Sequence, residues 1–339
     1  MNKAQHLHEI LTEGSEINIV CHNNPDPDSL ASALALGQIA TDADIDEQRI
    51  LYSGDVSHQQ NRAFINLFDM DLQLFEPATV QNRPADSLLA FVDHAVPGVN
   101  NQVPEGTPVD VVIDHHPADE IDARFVDHRE DIGAASTILT EYIRALNIGL
   151  DAALATALLF GIRRETLDFL RGVTREEYDA AGYLHDHADQ DLLRQLSAPS
   201  ATGRTLDAVA TAIGNRIRKR AVLISHVGWT TEQDALSQAA DYLVALEGVE
   251  TVVVFGIVDK AIHLSARSPD PRVHAGDILE EAFGDDGSVG GQYDVAAGEI
   301  PLGIFADFTT DDVQLLSVVE RAITARLLTV LNLADDLEE

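Results

Sequence analysis

The first half of the chain alternates short apolar runs with segments of helical periodicity. The apolar runs are rich in Val, Ile and Leu, which is typical of parallel strands that are buried on both faces. Strands are predicted at residues 16–22, 49–55, 87–94 and 109–115, and helices at residues 29–40, 58–68, 134–145, 150–165 and 174–196. Strands that alternate with helices predict an α/β domain with a parallel sheet.

The pattern starts afresh after a segment rich in Ser, Ala, Pro and Gly at residues 197–203. We predict a connecting helix at 205–218, strands at 221–227, 251–258, 261–268 and 302–305, helices at 232–246, 273–283 and 311–331, and a glycine-rich loop at 287–298. We therefore expect a first domain at 1–196, a linker with its helix at 197–220, a second, smaller α/β domain at 221–333 and an acidic tail at 334–339.

The composition is that of a globular protein with an extreme charge. Of 339 residues 45% are hydrophobic, while 57 acidic residues outnumber 22 Lys and Arg, for a formal net charge of −35. Self-repulsion of this size destabilises a compact fold in dilute buffer, and molar salt screens it beyond about 3 Å. Because the acids are spread along the chain, the composition favours a protein of a salt-accumulating microbe, such as a halophilic archaeon, over a protein that binds basic partners. It also argues against binding of duplex DNA.

Two further features limit the class of protein. The chain has no apolar run of about 18 residues that could cross a membrane, and its first residues have neither a basic leader nor a cleavage site, so we expect a cytoplasmic protein and no membrane partner. A single cysteine, Cys21, excludes an internal disulfide and a cysteine-based metal cluster.

Acidic and histidine side chains follow three of the predicted strands. Since the carboxyl ends of parallel strands meet at one edge of a sheet, we expect these side chains to converge. Several carboxylates in one place are costly unless a cation offsets them. Asp oxygens with His nitrogens suit Mn²⁺ or a similar ion, and two such ions about 3.5–4 Å apart form the usual clamp for phosphoester hydrolysis. The residues are His22, Asp26, Asp28, Asp93, Asp114, His115 and His116.

Each of the other candidate segments has an ordinary alternative. The turn after His22 could be an acidic turn in which Asp28 or Ser29 caps a helix. Glu165, beside Arg163 and Arg164, is either a ligand or part of a solvated helix end. The glycines of residues 290–298 either let backbone N–H groups approach a phosphate or form a plain turn.

The whole set of motifs resembles the DHH phosphoesterase superfamily. The order is His-x-x-x-Asp-x-Asp, an isolated Asp, Asp-His-His, Gly-Ile-x-x-acid-Thr and Gly-Gly-x-x-x-x-Ala-Ala-Gly, and it extends over nearly the whole chain. The matching branch carries a C-terminal DHH-associated domain and includes RecJ-type exonucleases and the nanoRNA and pAp phosphatases. The resemblance implies a DHH domain with a parallel sheet and a smaller α/β domain across a cleft.

The resemblance also implies a role for each candidate residue. Two Mn²⁺ ions are expected, with Mg²⁺ or Co²⁺ as alternatives. The first ion's ligands would be His22, Asp26 and Asp93, and the second ion's would be Asp28, Asp93, His115 and Glu165. His116 would lie beside the scissile phosphate, and Asp114 would orient His115. The substrate-binding surface of the second domain would comprise Arg267, Gly290, Gly291, Gln292 and Gly298.

Two positions depart from the family pattern. Glu165 replaces the usual Asp, which shifts the carboxylate by one C–C bond, and a misplacement of about 1 Å can cost about 10²-fold in rate. Asp168 is a fallback ligand. Gln292 replaces the usual His, so it can donate a hydrogen bond to phosphate but carries no charge.

The resemblance implies hydrolysis of short nucleotides by water that two metal ions activate. Oligoribonucleotides, pApA-type dinucleotides and pAp are the favoured substrates. The expected partner is therefore a short single-stranded RNA or DNA or a dinucleotide. The resemblance is also compatible with a homodimer. A single-strand-specific RecJ-like exonuclease is one alternative, although aromatic residues make up only 5% of the chain. An inorganic pyrophosphatase or exopolyphosphatase and a non-catalytic scaffold or nucleotide-binding protein are the others.

Overall fold

The computed structural model describes residues 2–54, 56, 59–81, 83–118, 120–197, 202–270, 272–291, 293–306 and 313–333. The chain divides into two compact units, Met1–Pro199 and Ser200–Glu339. Among the described residues no helix is both long enough and apolar enough to cross a bilayer.

The first unit is built on a six-stranded parallel sheet with helices, which confirms the predicted fold class. Its strands lie in the order β3-β2-β1-β4-β5-β6, so the strand order reverses between β1 and β4. Open sheets of this kind bind ligands at that reversal, beyond the carboxyl ends of the strands. The elements are α1 (Lys3–Leu11), β1 (Glu16–Asn23), α2 (Pro27–Asp42), β2 (Glu47–Ser53), α3 (Gln59–Leu67), β3 (Leu72–Leu74), α4 (Pro77–Gln81), β4 (Ser87–Val92), β5 (Val109–Asp114), β6 (Ala123–His128), α5 (Ala135–Leu146), α6 (Ala152–Glu165), α7 (Arg175–His185) and α8 (Gln190–Ser197).

Close packing of three helices fixes the region behind the strand ends. Helix α2 is rich in alanine and almost wholly buried. A Cβ at Gly161 of α6 would lie 2.7 Å from Ser136 Oγ of α5 and 3.1 Å from the carbonyl oxygen of Pro27. Only glycine therefore allows α6 to come this close to the N-terminal turns of α2 and α5.

The first unit departs from the predicted elements in two ways. The single helix predicted at 174–196 is wrong, because α7 ends at His185 and Asp189 then accepts hydrogen bonds from the backbone N–H groups of Asp191 and Leu192, which starts α8. Helices α1 and α4 and strands β3 and β6 were not predicted, and β3 and α4, with three and five residues, are too short to show a clear period.

The second unit contains a mixed six-stranded sheet. Its strands follow the order β11-β12-β10-β9-β8-β7, and the pair β8–β9 is parallel whereas the others are antiparallel. The elements are α9 (Gly203–Gly214), β7 (Ile217–Lys219), β8 (Val222–Trp229), α10 (Asp234–Val244), β9 (Thr251–Val258), β10 (Ala261–Arg267), α11 (Ala275–Phe283), β11 (Ser288–Gly291), β12 (Val295–Pro301) and α12 (Val313–Val330).

Three predictions for the second unit need correction. The glycine-rich segment is a hairpin of β11 and β12 rather than a loop, because a Cβ at Gly291 would lie 2.4 Å from Ala296 Cα and glycine allows the two strands to approach. The predicted strand at 302–305 is a 3₁₀ turn that Gly303 enters at φ +55°. The predicted connecting helix ends at Gly214 and packs within the second unit through Ala208 and Ala212, while β7 follows it. The acidic tail at 334–339 lies outside the described residues.

Candidate metal centre

The carboxyl ends of β1, β4 and β5 bring acidic and imidazole side chains into contact, as the sequence predicts. His22 Nε2 lies 3.4 Å from Asp93 Oδ2 and 3.8 Å from Asp26 Oδ1. His115 Nε2 lies 3.2 Å from Asp93 Oδ1 and 3.9 Å from Asp28 Oδ2. Asp93 is thus at the centre of the cluster, with His22 at its Oδ2 and with His115 and, at 3.6 Å, His116 at its Oδ1.

A tight turn after β4 directs Asp93 into this position. Its backbone adopts φ +64°, a conformation that Asp tolerates better than most residues, and its N–H donates to the Ile113 carbonyl over 2.9 Å. The residue is 1% exposed. The turn therefore places a carboxylate in the interior at the reversal point of the sheet.

The N-terminus of α2 holds the next two carboxylates in different ways. Asp26 is the N-cap, and its Oδ1 accepts hydrogen bonds from the backbone N–H groups of Asp28 and Ser29 over 2.9 and 3.1 Å. The alternative that Asp28 or Ser29 is the cap is therefore wrong. Asp28 is fully buried and accepts hydrogen bonds from Ala135 N–H and Ser136 N–H, at 2.8 and 2.9 Å, in the first turn of α5.

The segment before α5 is fixed by a buried glutamate that the sequence analysis missed. Glu177 Oε1 accepts from Gly133 N–H over 2.9 Å, and Oε2 accepts from the backbone N–H and the hydroxyl of Thr174 over 2.7 and 2.6 Å. The Thr-x-x-Glu spacing of residues 174–177 is the signature of this capping box and could have revealed it. Glu177 thus connects α7 to the turn that presents N–H groups to Asp28.

Replacing Gly133 by alanine should loosen the candidate metal centre without removing any of its side chains. A Cβ at Gly133 would lie 2.5 Å from the Gly172 carbonyl oxygen, so the backbone before α5 must move. We expect a loss of about 1–3 kcal/mol in the free energy of unfolding and weaker Mn²⁺ binding, measured by denaturation and metal titration. Gly149→Ala is the matched control, since nothing lies within 4 Å of its added Cβ. Equal effects of both variants would contradict the prediction.

The donor atoms of the cluster fit a divalent cation. Both oxygens of Asp93 and Nε2 of His115 are buried and have no hydrogen-bond partner among the described residues. The Asp93 oxygens and His115 Nε2 lie close together, but their geometry is not that of a hydrogen bond. Leaving buried polar atoms unpaired destabilises the folded state. Two sets of ligand atoms lie within 4.8 Å of one another, Asp93–His115–His116 and His22–Asp26–Asp93. A cation among these atoms would satisfy them.

The two central imidazoles are oriented as metal ligands are. His22 Nδ1 lies 2.8 Å from the Asn23 carbonyl oxygen, and His115 Nδ1 lies 3.1 Å from that of Ile132. Because a carbonyl can only accept, each Nδ1 carries the proton, and each Nε2 faces the carboxylates. A neutral ring in this tautomer offers its Nε2 lone pair to an ion.

The pKa values report an excess of negative charge at the centre. Burial lowers the pKa of His115, but the carboxylates of Asp93, Asp28 and Glu165 outweigh it and raise that pKa to about 10. Burial and the charge of Asp93 raise the pKa of Asp28 to about 8. Burial raises the pKa of Asp93, but its imidazole neighbours outweigh this and hold it well below its usual range. Protons therefore occupy this cluster unless a cation displaces them.

Asp114 holds His116, which corrects its predicted role. Asp114 Oδ1 accepts from His116 Nδ1 over 3.0 Å and from the backbone N–H groups of His115 and His116 over 2.8 and 3.1 Å. The ring of His115 is oriented by the Ile132 carbonyl instead. The hydrogen bond to Asp114 raises the pKa of His116, whose side chain is 45% exposed.

The remaining candidates of the first unit lie around the cluster. Glu165, which ends α6, belongs to neither set of close ligand atoms, and Arg171 Nη2 lies 3.3 Å from its Oε1. Asp168 pairs with Arg163 over 2.7 Å and is 59% exposed, so it does not join the cluster. His94 stacks on Phe91 with centroids 4.4 Å apart.

The described candidate substrate residues of the second unit lie on three neighbouring strands, β10, β11 and β12. Arg267, at the end of β10, donates to Asp241 over 2.6 Å and to Ser265 over 3.0 Å. Gly298 pairs with Leu264 of β10, and Gly291 with Ala296. A Cβ at Gly290 would meet open space, so a ligand can approach the backbone there. Gln292 lies outside the described residues.

Two family models match the chain. The DHH family, N-terminal domain, matches residues 16–162, and the DHHA1 domain matches residues 219–321. An uncharacterised protein of Methanocaldococcus jannaschii is 37% identical over 94% of this chain and 64% of its own length. The cyclic-di-AMP phosphodiesterase PdeA of Listeria monocytogenes is 27% identical over 78% of this chain and 42% of its own length. The chain thus spans less than two thirds of either relative.

Solved structures share the fold. An exopolyphosphatase-related protein from Bacteroides fragilis matches with a TM-score of 0.72 at 16% identity, over 97% of both chains. RecJ from Thermus thermophilus in complex with Mn²⁺ matches with a TM-score of 0.51 at 14% identity, over 96% of this chain and 54% of RecJ. At these identities the likeness is one of fold.

Proposed function

The chain belongs to the DHH phosphoesterase superfamily and carries a C-terminal DHHA1 domain, and on this basis we propose that it is a divalent-metal-dependent phosphodiesterase or phosphatase of short nucleotides. The observation that carries the proposal is the buried cluster in which Asp93 and His115 present unpaired ligand atoms to one point. The Mn²⁺ complex of RecJ supports Mn²⁺ as the ion, with Mg²⁺ or Co²⁺ as alternatives.

The residues would hold two ions. His22, Asp26 and Asp93 are the proposed ligands of one, and Asp28, Asp93, His115 and Glu165 of the other, so Asp93 is shared. When bound, such a pair of ions lowers the pKa of water and neutralises charge on the phosphoryl oxygens.

The chain's own residues would then orient and neutralise the substrate. His116, held by Asp114 and with a raised pKa, is suited to donate a hydrogen bond to a phosphoryl oxygen as negative charge develops there. In the second domain, residues 221–333, we propose that Arg267 and the backbone at Gly290 contact the nucleotide. These residues are the proposed substrate-binding surface, together with Gly291, Gln292 and Gly298.

Short substrates are favoured by the charge and by a relative. The net charge of −35 disfavours long polyanions, which need an extended basic surface. The Listeria relative is named for hydrolysis of a cyclic dinucleotide. We therefore propose oligoribonucleotides, pApA-type dinucleotides and pAp as substrates. The resemblance of the motifs to those of RecJ-type exonucleases supports one second candidate, a single-strand-specific exonuclease.

The proposal is tested by measuring turnover in high salt with Mn²⁺. The substrates are pApA, a labelled five-nucleotide RNA, long single-stranded DNA, pAp and pyrophosphate. We expect turnover of pApA, the short RNA or pAp at rates well above those for long DNA and pyrophosphate. Fast turnover of pyrophosphate alone would overturn the substrate class. Processive degradation of long DNA would favour the exonuclease, and no turnover of any substrate would favour a scaffold.

A further inference from the structure

Glu165 forms an ion pair with an arginine, Arg171. Among the described residues, no other proposed ligand has an arginine partner. Arg171 Nη2 lies 3.3 Å from Glu165 Oε1 and 3.0 Å from the Glu165 carbonyl oxygen. The Glu165 side chain is 21% exposed, and the Arg171 side chain is 42% exposed. The pair therefore lies at the rim of the buried cluster, where one partner faces inward and the other reaches solvent.

The negative charge around Glu165 explains why an arginine is held there. Burial and the carboxylates of Asp26 and Asp93 raise the pKa of Glu165, whereas Arg171 opposes that effect. A divalent ion beside Asp93 and His115 would compete with Arg171 for the same carboxylate. At Glu165 Oε1, the oxygen that Arg171 contacts, the ion and the guanidinium cannot both bind.

Resting on the two-ion site proposed above, we propose that Arg171 is a positioning residue that holds Glu165 in an ion pair. When Glu165 turns to the second ion, Arg171 is released from it and binds a phosphate of the substrate. The guanidinium has the planar, forked geometry that binds phosphate through two parallel hydrogen bonds. In a chain with 22 basic and 57 acidic residues, a cation at the rim of the proposed site is well placed to receive an anionic substrate.

The turn that carries Arg171 is built to keep it close to Glu165. Leu167, Asp168 and Phe169 all adopt left-handed backbone conformations, at φ +50°, +55° and +67°, although none is glycine. Such conformations cost about 1–2 kcal/mol per residue. The N–H groups of Leu170 and Arg171 both donate to the Thr166 carbonyl, over 2.8 and 2.9 Å, which closes the turn.

This exchange makes second-ion binding and phosphate binding mutually dependent. While Arg171 occupies Glu165, the second ion must displace it, so the pair weakens ion binding. Once the ion holds Glu165, Arg171 can bind phosphate, so phosphate in turn favours the ion. By thermodynamic linkage, the factor by which phosphate tightens ion binding must equal the factor by which the ion tightens phosphate binding.

The test is a Mn²⁺ titration of the full chain by calorimetry, with and without inorganic phosphate. We expect Arg171→Gln to tighten the weaker class of ions by about two- to fivefold, the range for a partly exposed ion pair, and to reduce the effect of phosphate on ion affinity. Arg171→Lys keeps the charge without the fork, so it should bind ions as the unmodified chain does and still lose part of the phosphate effect. Arg175→Gln is the control, because Arg175 is 86% exposed and pairs with Asp179 on α7.

The outcomes separate this inference from the proposed function. Weaker or unchanged binding of the second ion in Arg171→Gln, while the unmodified chain binds two ions, would overturn the inference alone. No Mn²⁺ binding by the unmodified chain would overturn the proposed function as well. A purely structural role of Arg171 predicts weaker ion binding, which is the opposite sign.

Discussion

Replacing Asp93 by asparagine should abolish binding of both ions and lower hydrolysis by at least about 10²- to 10³-fold, the loss that follows removal of one group that stabilises charge in a transition state. Asp93 contacts His22 on one side and His115 on the other. The two sets of close ligand atoms share no other residue. One substitution therefore removes a donor from both proposed positions.

Asparagine is the variant of choice because it changes charge and little else. It has nearly the same size as aspartate and tolerates the left-handed backbone of residue 93, at φ +64°. Alanine would add backbone strain and a small cavity to the loss of charge. The asparagine variant should therefore fold, and its defect should be confined to metal binding.

The measurement is the change in melting temperature on adding Mn²⁺, together with turnover. Ligand at about 100 times its Kd stabilises a protein by about 2.7 kcal/mol, so the unmodified chain should show a clear shift and the Asp93→Asn variant none. Asp168→Asn is a matched control, since Asp168 is also a left-handed aspartate, at φ +55°, but is 59% exposed and pairs with Arg163. A full Mn²⁺ shift in Asp93→Asn would contradict the shared-ligand assignment.

The sequence predicted the cluster because its residues follow strands of a recognisable kind. His22, Asp93 and His115 each come directly after, or at the end of, an apolar run, and parallel strands bring such positions to one edge. The same argument requires no knowledge of how far apart the strands lie along the chain. It therefore predicted that these side chains converge, which the structure confirms, while their roles as metal ligands stay a prediction.

The orientation of those donors could not be read from the sequence in the same way. His115 is oriented by the backbone carbonyl of Ile132, and every residue has a carbonyl, so no sequence pattern marks it. Asp114 was assigned to the wrong histidine because both neighbours lie within its reach, and only the turn after β5 decides between them. Arg171 escaped notice because its contact with Glu165 depends on three left-handed residues that are not glycine.

Helices and strands were predictable where the hydrophobic pattern ran long enough to show a period. They were not predictable where close packing or a local hydrogen bond determined the conformation. The glycines at 290, 291 and 298 suggested a loop, yet they are strand residues, and those at 291 and 298 allow β12 to lie close to its neighbours. The break between α7 and α8 depends on Asp189, whose side chain caps the second helix within an otherwise helical pattern. Local hydrogen bonds of this kind compete with the period of the sequence.

The chain should also be strongly stabilised by salt, with a melting temperature at least about 10 °C higher at molar than at 0.1 M ionic strength; for domains of this size that shift corresponds to about 3–5 kcal/mol. Two effects of salt oppose each other. Salt weakens surface ion pairs such as Arg175–Asp179 and Arg124–Asp110, but exposed pairs contribute about 0–1 kcal/mol each. It also screens the repulsion of 35 uncompensated negative charges, which acts over the whole surface.

Repulsion should win, because 57 acidic residues face only 22 basic ones and most carboxylates cannot be paired. The Debye length falls from about 10 Å at 0.1 M to about 3 Å at 1 M, so most of the stabilisation should be reached by about 1 M. Thermal unfolding in KCl and in KNO₃ at equal ionic strength measures the effect, and screening predicts similar curves in the two salts. A melting temperature that falls with salt would show that ion pairs outweigh repulsion. A rise that continues in proportion to concentration and differs between the anions would instead indicate exclusion of salt from the surface.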